Sequence, residues 1–309
     1  AAEFQGGPIM SGFQKGRVPS AADMRRWMLT AISSGVSTIS FWVTRAEIMA
    51  QENNGFSLLD SKGDSTERLS EASKIGLSLR SHSDLFALPS KPKSKVGIII
   101  NEENYQFCKS FYGTERHLSY SVRGWYHMLW RNGYPVDFVN ITDINEKTSG
   151  QYPALILPFP LSLSDKLASK LKDYTSDGGN LICEGAAGRI SENSLAVRGE
   201  MSPVIAGMAG VEQKSFIMVR EPENGRRWIP EERTWGEFAP VTYLEGTGDF
   251  AGTRTLANYY LQTFTCKEGT PIFKAGEEIA ACENKVGKGK IWLIGTFIGH
   301  NGTAYDTPG

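Results

Sequence analysis

Between residues 96 and 183 short apolar runs alternate with amphipathic stretches, and few architectures accommodate that alternation. Val96-Gly97-Ile98-Ile99-Ile100 is apolar at consecutive positions rather than at every second one. Such a run needs cover on both faces, which predicts a strand of a parallel sheet. Leu118, Val122, Trp125 and Leu129 then recur at helical spacing up to Gly133, which can end that helix. Residues 136–139 and 154–157 are the next strands. Ser164 caps a helix that turns Leu167, Ala168, Leu171 and Tyr174 inward; Gly178-Gly179 stops it, and 180–183 is a further strand. Parallel strands joined by helical crossovers imply a doubly wound sheet of flavodoxin-like size. Towards the end, 278–282 and 291–297 flank Gly287-Lys288-Gly289 and predict a hairpin rejoining the sheet. Residues 186–275 show no clear period and are expected to be mixed strand and loop.

The first 82 residues follow the same α/β succession. Ser20 and Asp23 form a capping signature before Met24, Trp27, Met28 and Ala31, which share one helical face, and Gly35 ends the helix. Residues 36–42 are expected to form a strand covered on both sides. Asp64 and Glu67 are expected to start a second helix, with Leu69, Ala72, Ile75 and Leu79 as its buried stripe. Two prolines and alternating Lys and Ser between residues 85 and 96 predict a solvated linker. The expected domains are 1–94 and 95–309.

Charge excludes some partners. Lys plus Arg at 33 against Asp plus Glu at 34 gives a net charge of -1, so neither nucleic acid nor an anionic membrane surface is expected. No apolar run reaches the roughly 18 residues a membrane-spanning helix needs. Cys108, Cys183, Cys266 and Cys282 are widely spaced, without a C-x-x-C pair. They are expected to be reduced, buried thiols of a cytoplasmic protein rather than disulfide partners or zinc ligands. No metal and no cofactor are expected.

The chemistry concentrates at the start. Glu3-Phe4-Gln5 runs into Gly6-Gly7-Pro8, a carboxylate at a strand end beside glycine-rich backbone, where a barrel glycosidase holds its nucleophile. A retaining glycosidase needs a second carboxyl group about 5 Å away. Trp42, at the end of the next apolar run, and Arg45, Gln51 and Glu52 in the loop after it supply an aromatic face and polar groups at the same rim.

With these motifs in this order, the chain resembles the β-galactosidases of glycoside hydrolase family 42. The motifs are Glu3 to Pro8, Arg26-Trp27, Phe41-Trp42-Val43-Thr44-Arg45, and Gln51-Glu52 with Gly55. The likeness continues through the linker into an α/β domain like the family's trimerisation domain, itself similar to class I glutamine amidotransferases. It implies the end of a (β/α)8 barrel followed by a flavodoxin-like domain. It further implies Glu3 as nucleophile, Trp42 packing on the sugar, Glu52 gripping sugar hydroxyls and Arg45 orienting Glu52. Phe13 is the aromatic candidate where the family has a tryptophan after the nucleophile, and Gly55 stands where it commonly has a histidine.

The family's acid/base glutamate lies on an earlier strand, and residues 1–82 supply about two of eight barrel units. The chain is therefore expected to be a C-terminal fragment, inactive without the rest of the barrel. Its expected partners are a β-galactoside or related oligosaccharide, further copies in a trimer, or a complementing barrel polypeptide. Two other readings stay open. One is a non-catalytic assembly or sugar-binding protein. The other is an amidotransferase-like hydrolase using Cys183 with His300, which Leu181, two residues before the thiol, argues against. His300 is otherwise a structural or solvated residue of a glycine-rich turn, and His117 and His127 are surface or packing residues.

Overall fold

The computed structural model describes residues 1, 3–86, 93–219 and 238–304. The chain divides into two compact units, Ala1–Pro92 and Lys93–Gly309. Residues 87–92 of the expected linker lie outside the described residues.

In the first unit, strand β1 (Phe4–Gln5) is followed by a small hairpin of β2 (Met10–Ser11) and β3 (Gln14–Lys15), then helix α1 (Ala21–Ser33), β4 (Phe41–Trp42), α2 (Glu67–Ser81) and the short α3 (Ser83–Phe86). Ser20 caps α1 as expected, accepting from the Asp23 amide while Asp23 reaches back to Ser20. Helix α2 is capped by Thr66, whose hydroxyl accepts from Leu69 N, rather than by Asp64. Asp64 instead donates its amide to Asp60 Oδ1 in the preceding turn. Met24, Met28, Leu58, Ala72 and Ile75 form the core, with Trp27, Leu69 and Leu79 packed against it. The expected strand over 36–42 is only two residues long and is not buried on both faces: Phe41 is half-buried and Trp42 exposed. Its described partner strand, β1, is itself two residues long, so the ladder has nothing further to extend along.

The second unit holds a twelve-stranded mixed sheet among the described residues. In chain order it contains β5 (Val96–Ile100), α4 (Glu102–Tyr112), α5 (Arg116–Arg131), β6 (Val136–Asn140), α6 (Thr148–Gln151), β7 (Ala154–Leu157), α7 (Asp165–Ser176), β8 (Asn180–Glu184), α8 (Pro203–Ala209) and β9 (Val211–Val219). There follow β10 (Phe238–Ala239), β11 (Tyr243–Gly246), β12 (Arg254–Leu256), β13 (Tyr260–Cys266), β14 (Thr270–Ala275), β15 (Glu278–Val286), β16 (Gly289–Ile294) and α9 (Ile298–Ala304). Neighbours β6, β5, β7, β8 and β16 are all parallel. Beyond β16 the sheet turns antiparallel through β15, β13 and β9. Val286 pairs with Gly289, so the expected hairpin closes on Gly287-Lys288, with Gly287 at φ 60°.

The sheet is covered on both sides. One cluster packs Leu167, Ala168, Leu171 and Tyr174 of α7 against Leu155, Leu181 and Leu293; each fully buried leucine contributes about 2 kcal/mol. The other packs α4 and α5, through Phe107, Leu118 and Val122, against Ile98 and Ile156. Helix α9 crosses α5 closely: a Cβ on Gly299 would sit 2.3 Å from the Ser121 carbonyl oxygen, and one on Gly302 2.7 Å from that of Gly124. The expected glycine-rich turn at 299–302 is therefore part of a helix, its glycines serving close approach rather than reversal.

Candidate functional site

The candidate residues at the start of the chain come together through backbone pairing. Phe4 lies opposite Phe41 and Gln5 opposite Trp42 in a parallel ladder, with Phe4 N donating to Ser40 O at 2.7 Å. The two phenylalanine rings meet edge to face at 5.5 Å. The loop after Trp42 is tied down on both strands: Val43 N donates to Phe56 O, Leu58 N to Val43 O, and Gly6 N to Phe56 O. Gly6 and Gly7 are required here, because a Cβ on either would lie 2.8 or 2.4 Å from the carbonyl oxygens of Phe56 and Ser57. The buried Arg68 of α2 seals the junction by donating to Gly6 O and Ser57 O at 3.0 and 3.1 Å.

On this frame Glu3, Trp42, Arg45 and Glu52 all have exposed side chains. Glu3 stands just before β1 at φ 59°. Glu52 sits in the loop whose Gln51 carbonyl accepts from Gly12 N, so that loop also meets the β2–β3 hairpin. Phe13 occupies the hairpin tip, fully exposed. Among the described residues no hydrogen bond or ion pair holds the side chains of Glu3, Arg45 or Glu52.

In the second unit, Cys183 and His300 do not form a pair. Cys183 is fully buried, its Sγ donating to Glu184 O at 3.4 Å, and burial pushes its thiol far up. His300 is also fully buried. Its Nε2 faces His117 O at 2.7 Å and its Nδ1 faces Asn258 Oδ1 at 3.2 Å, and burial holds its pKa down at about 3. It is a packing residue, ringed by Phe159 and Phe297. Cys108 and Cys282 are buried like Cys183, whereas Cys266 is half-buried; all four are free.

Glu184, which sequence reasoning passed over, is the chemically conspicuous residue of this unit. Its Oε1 accepts from Trp125 Nε1 at 2.7 Å and Gly299 N at 2.6 Å; its Oε2 accepts from Phe159 N at 2.8 Å and from the Ser121 hydroxyl. Burial pushes its carboxyl above the ordinary range, and the four donors hold that rise back. The signal available was a carboxylate closing an apolar strand, Asn180–Glu184. Among the described residues no group of three or more His, Cys, Asp or Glu could hold a metal, and no helix is long and apolar enough to cross a membrane.

Comparison with known proteins bears on both units. The chain is 22% identical over 281 residues to the β-galactosidase LacZ of Lactobacillus acidophilus, covering 88% of this chain and 38% of that protein. It is 26% identical over 145 residues to the β-galactosidase GanA of Bacillus subtilis, covering 46% of this chain and 21% of that one. The fold matches the β-galactosidase of Bacillus circulans sp. alkalophilus with a TM-score of 0.77 at 15% identity, covering 98% of this chain and 43% of that chain. It matches a catalytic mutant of Gan42B, a GH42 β-galactosidase of G. stearothermophilus, with a TM-score of 0.74 at 17% identity, covering 94% and 40%. These matches bear out the resemblance to the C-terminal portion of the GH42 β-galactosidases, and the chain spans well under half the length of the relatives it matches. The family model for the beta-galactosidase trimerisation domain matches residues 94–305, and the chain belongs to that family.

Proposed function

We propose that this chain is the C-terminal part of a retaining β-galactosidase, carrying the nucleophile and the subunit-assembling domain. On this reading the first unit is the last two βα steps of a (β/α)8 barrel, and the second is a flavodoxin-like domain. Glu3 attacks the anomeric carbon of a terminal β-galactoside to form a covalent glycosyl-enzyme. A second carboxylic acid, supplied by barrel strands outside this sequence, protonates the leaving oxygen and then activates water. Trp42 offers its ring to the apolar face of the sugar, Glu52 accepts from sugar hydroxyls, Arg45 orients Glu52, and Phe13 extends the aromatic surface from the hairpin tip. The assembly is a homotrimer, and the missing strands belong to the same or a complementing polypeptide.

One observation carries the reading: the parallel pairing of β1 with β4 brings the strand that follows Glu3 against the strand that ends in Trp42. Carboxylate and aromatic side chains left exposed around this pair suit a substrate site better than a packed core. The test is hydrolysis of a nitrophenyl β-galactoside by a polypeptide that includes the remaining barrel strands. There Glu3→Gln is expected to lower kcat by a factor on the order of 10³ or more, and in Glu3→Gly, which vacates the space of the side chain, azide is expected to restore turnover as a galactosyl azide. Full activity in that variant removes Glu3 from the mechanism. The chain alone is expected to be inactive.

A second reading, a non-catalytic assembly or sugar-binding protein built on the second unit, draws support from that unit's closed cores. It predicts the same oligomer with no loss of any activity on Glu3→Gln.

A further inference from the structure

Left-handed backbone at residues other than glycine is unevenly distributed in the second unit. Five described residues there adopt it: Phe159, Ala186, Ser194, Glu200 and Tyr259. Three of them, Phe159 at φ 42°, Ala186 at φ 61° and Tyr259 at φ 66°, line a single pocket, and a fourth, Glu200, is bonded to Arg189 in its wall. For side chains as bulky as phenylalanine and tyrosine this conformation is unfavourable, and such strain gathers where a fold holds a ligand rather than where it only packs. The pocket also has the position of a ligand site. Phe159 and Ala186 follow the carboxyl ends of the adjacent parallel strands β7 and β8, the end of an open α/β sheet at which ligands bind.

Its walls state what it can hold. On one side His117 stacks on Tyr259, ring centroids 4.8 Å apart. On the other Phe216 stacks on Tyr260 at 4.5 Å, and the Arg189 guanidinium lies over Phe216, 4.3 Å from the ring centre. Arg189 gives one bond to Glu200, from Nη1 at 3.0 Å; a guanidinium carries five N–H donors and matches a carboxylate in a two-pronged way. The enclosed space is ≈ 50 Å³, about a third of the roughly 150 Å³ cavity that admits benzene, so neither a hexose nor an aromatic ring fits inside. At the turn, Ala186 presents a methyl group, which has no nucleophilic atom; this position can contact a ligand but cannot attack it.

We infer that this pocket is a binding site for a small aliphatic carboxylate, its short apolar body held between the aromatic stacks and its carboxylate on Arg189. The site is independent of the glycosidase reading, since every described residue lining it belongs to the second unit.

Acetate titrated into the full chain at constant ionic strength, followed by saturation-transfer NMR, tests this. Saturable binding with a Kd of about 1 mM is expected, with ethanol, the same body without the charge, binding roughly tenfold more weakly. Arg189→Met is expected to weaken acetate by a similar factor and leave ethanol unchanged, and Arg189→Lys to restore part of the loss. Benzoate and galactose are expected not to compete. The inference is overturned if acetate does not saturate by about 50 mM, if ethanol equals it, or if galactose displaces it. Should Arg189→Met not fold, the acetate-to-ethanol ratio in the unaltered chain and in Arg189→Lys decides alone.

Discussion

The two units solve the same α/β problem with different completeness. The second unit surrounds its sheet with three buried clusters and satisfies even a fully buried carboxylate with four donors. The first unit has one small cluster of five buried residues and a two-residue ladder, and it leaves Ile9, Ile48, Met49 and Leu77 between 53% and 89% exposed. A parallel strand pair needs neighbours on its outer edges and cover on both faces. The second unit supplies both from its own sequence; the first supplies one helix layer. On the proposed reading the contrast is that between a domain that assembles subunits, which has to stand by itself, and the end of a barrel, which is stable only as part of the ring.

The largest expected effect sharpens that difference. Glu184→Ala leaves Ser121, Trp125, Phe159 N and Gly299 N without their acceptor, in a place water does not reach. It is expected to cost the second unit about 3–5 kcal/mol, measured as loss of hydrogen-exchange protection for β7 and β8 amides. The protection of α1 in the first unit is the internal reference. A cost under about 1 kcal/mol would show that the network is dispensable and the contrast between units overstated.

Acid separates the units as well. His300 has a folded pKa of about 3 against 6.5 when free, because burial disfavours its charge. The unfolded chain therefore binds the proton more readily, and the stability this residue contributes is lost as pH falls from about 6.5 towards 3, by about 1.4 kcal/mol per pH unit. Glu184 works in the opposite sense. Its folded pKa is raised, so its contribution is present below the ordinary glutamate value and lost as pH rises through the folded one. In the first unit, Arg17 and Ser20 hold Asp23 well below the usual carboxylate range, and Arg25 lowers Glu71. That unit keeps its stability until the pH falls through and below the carboxylate range. Between pH 6 and 5 the two groups oppose each other in the second unit, so removing one exposes the other: with His300→Gln, β7 and β8 protection is expected to rise as the pH falls, whereas α1 protection stays level. An unchanged slope in the second unit with His300→Gln would break the contrast.

Core truncation grades the two units more finely. Leu171 is fully buried in the larger cluster and Ile75 is 7% exposed in the small one. Leu171→Ala is expected to cost about 3 kcal/mol and Ile75→Ala about 2 kcal/mol, because the looser surroundings of Ile75 can collapse onto the vacated space. Denaturant midpoints at unchanged m-values provide the measurement; a larger loss at Ile75 would reverse the ranking of the two cores.

What could be read from the amino acids follows the same division. Where a motif is local and self-sufficient, the chain announces it. Ser164 and the inward face of α7 are examples, as are the Gly287 turn and the stripe of α5. Helix α4 is not legible because its buried face sets the polar Asn104 beside Phe107 and Cys108, which breaks the apolar stripe. Helix α8 was missed because seven residues with two glycines nearby carry almost no periodic signal. The strand expected over 36–42 failed for a non-local reason: its apolar residues do suit a two-sided strand, but length and cover depend on neighbours that composition cannot supply. Glu3, Trp42, Arg45 and Glu52 were legible as candidates because carboxylate and aromatic residues at strand ends carry chemistry. Glu184 shows the same pattern used for structure, and only its four donors distinguish the two uses.

The smallest expected effect lies at the start of α1. Ser20 accepts from the Asp23 amide, and Asp23 in turn accepts from Ser20 N and from Arg17, closing the first turn reciprocally. Ser20→Ala leaves the amide bond from Ser20 N to Asp23 in place and removes only the hydroxyl, so about 1 kcal/mol is expected. In a unit with so little core that small loss should be visible across its whole cooperative transition rather than only as fraying of one turn. Hydrogen exchange distinguishes the outcomes: amides of α2 losing protection together with those of α1 mark the first unit as one marginal cooperative block, coupled through Met24, Met28, Ala72 and Ile75. Loss confined to the first turn of α1 would mean that α2 and the Gly6-Gly7 junction, pinned by Arg68, form the stable half without it.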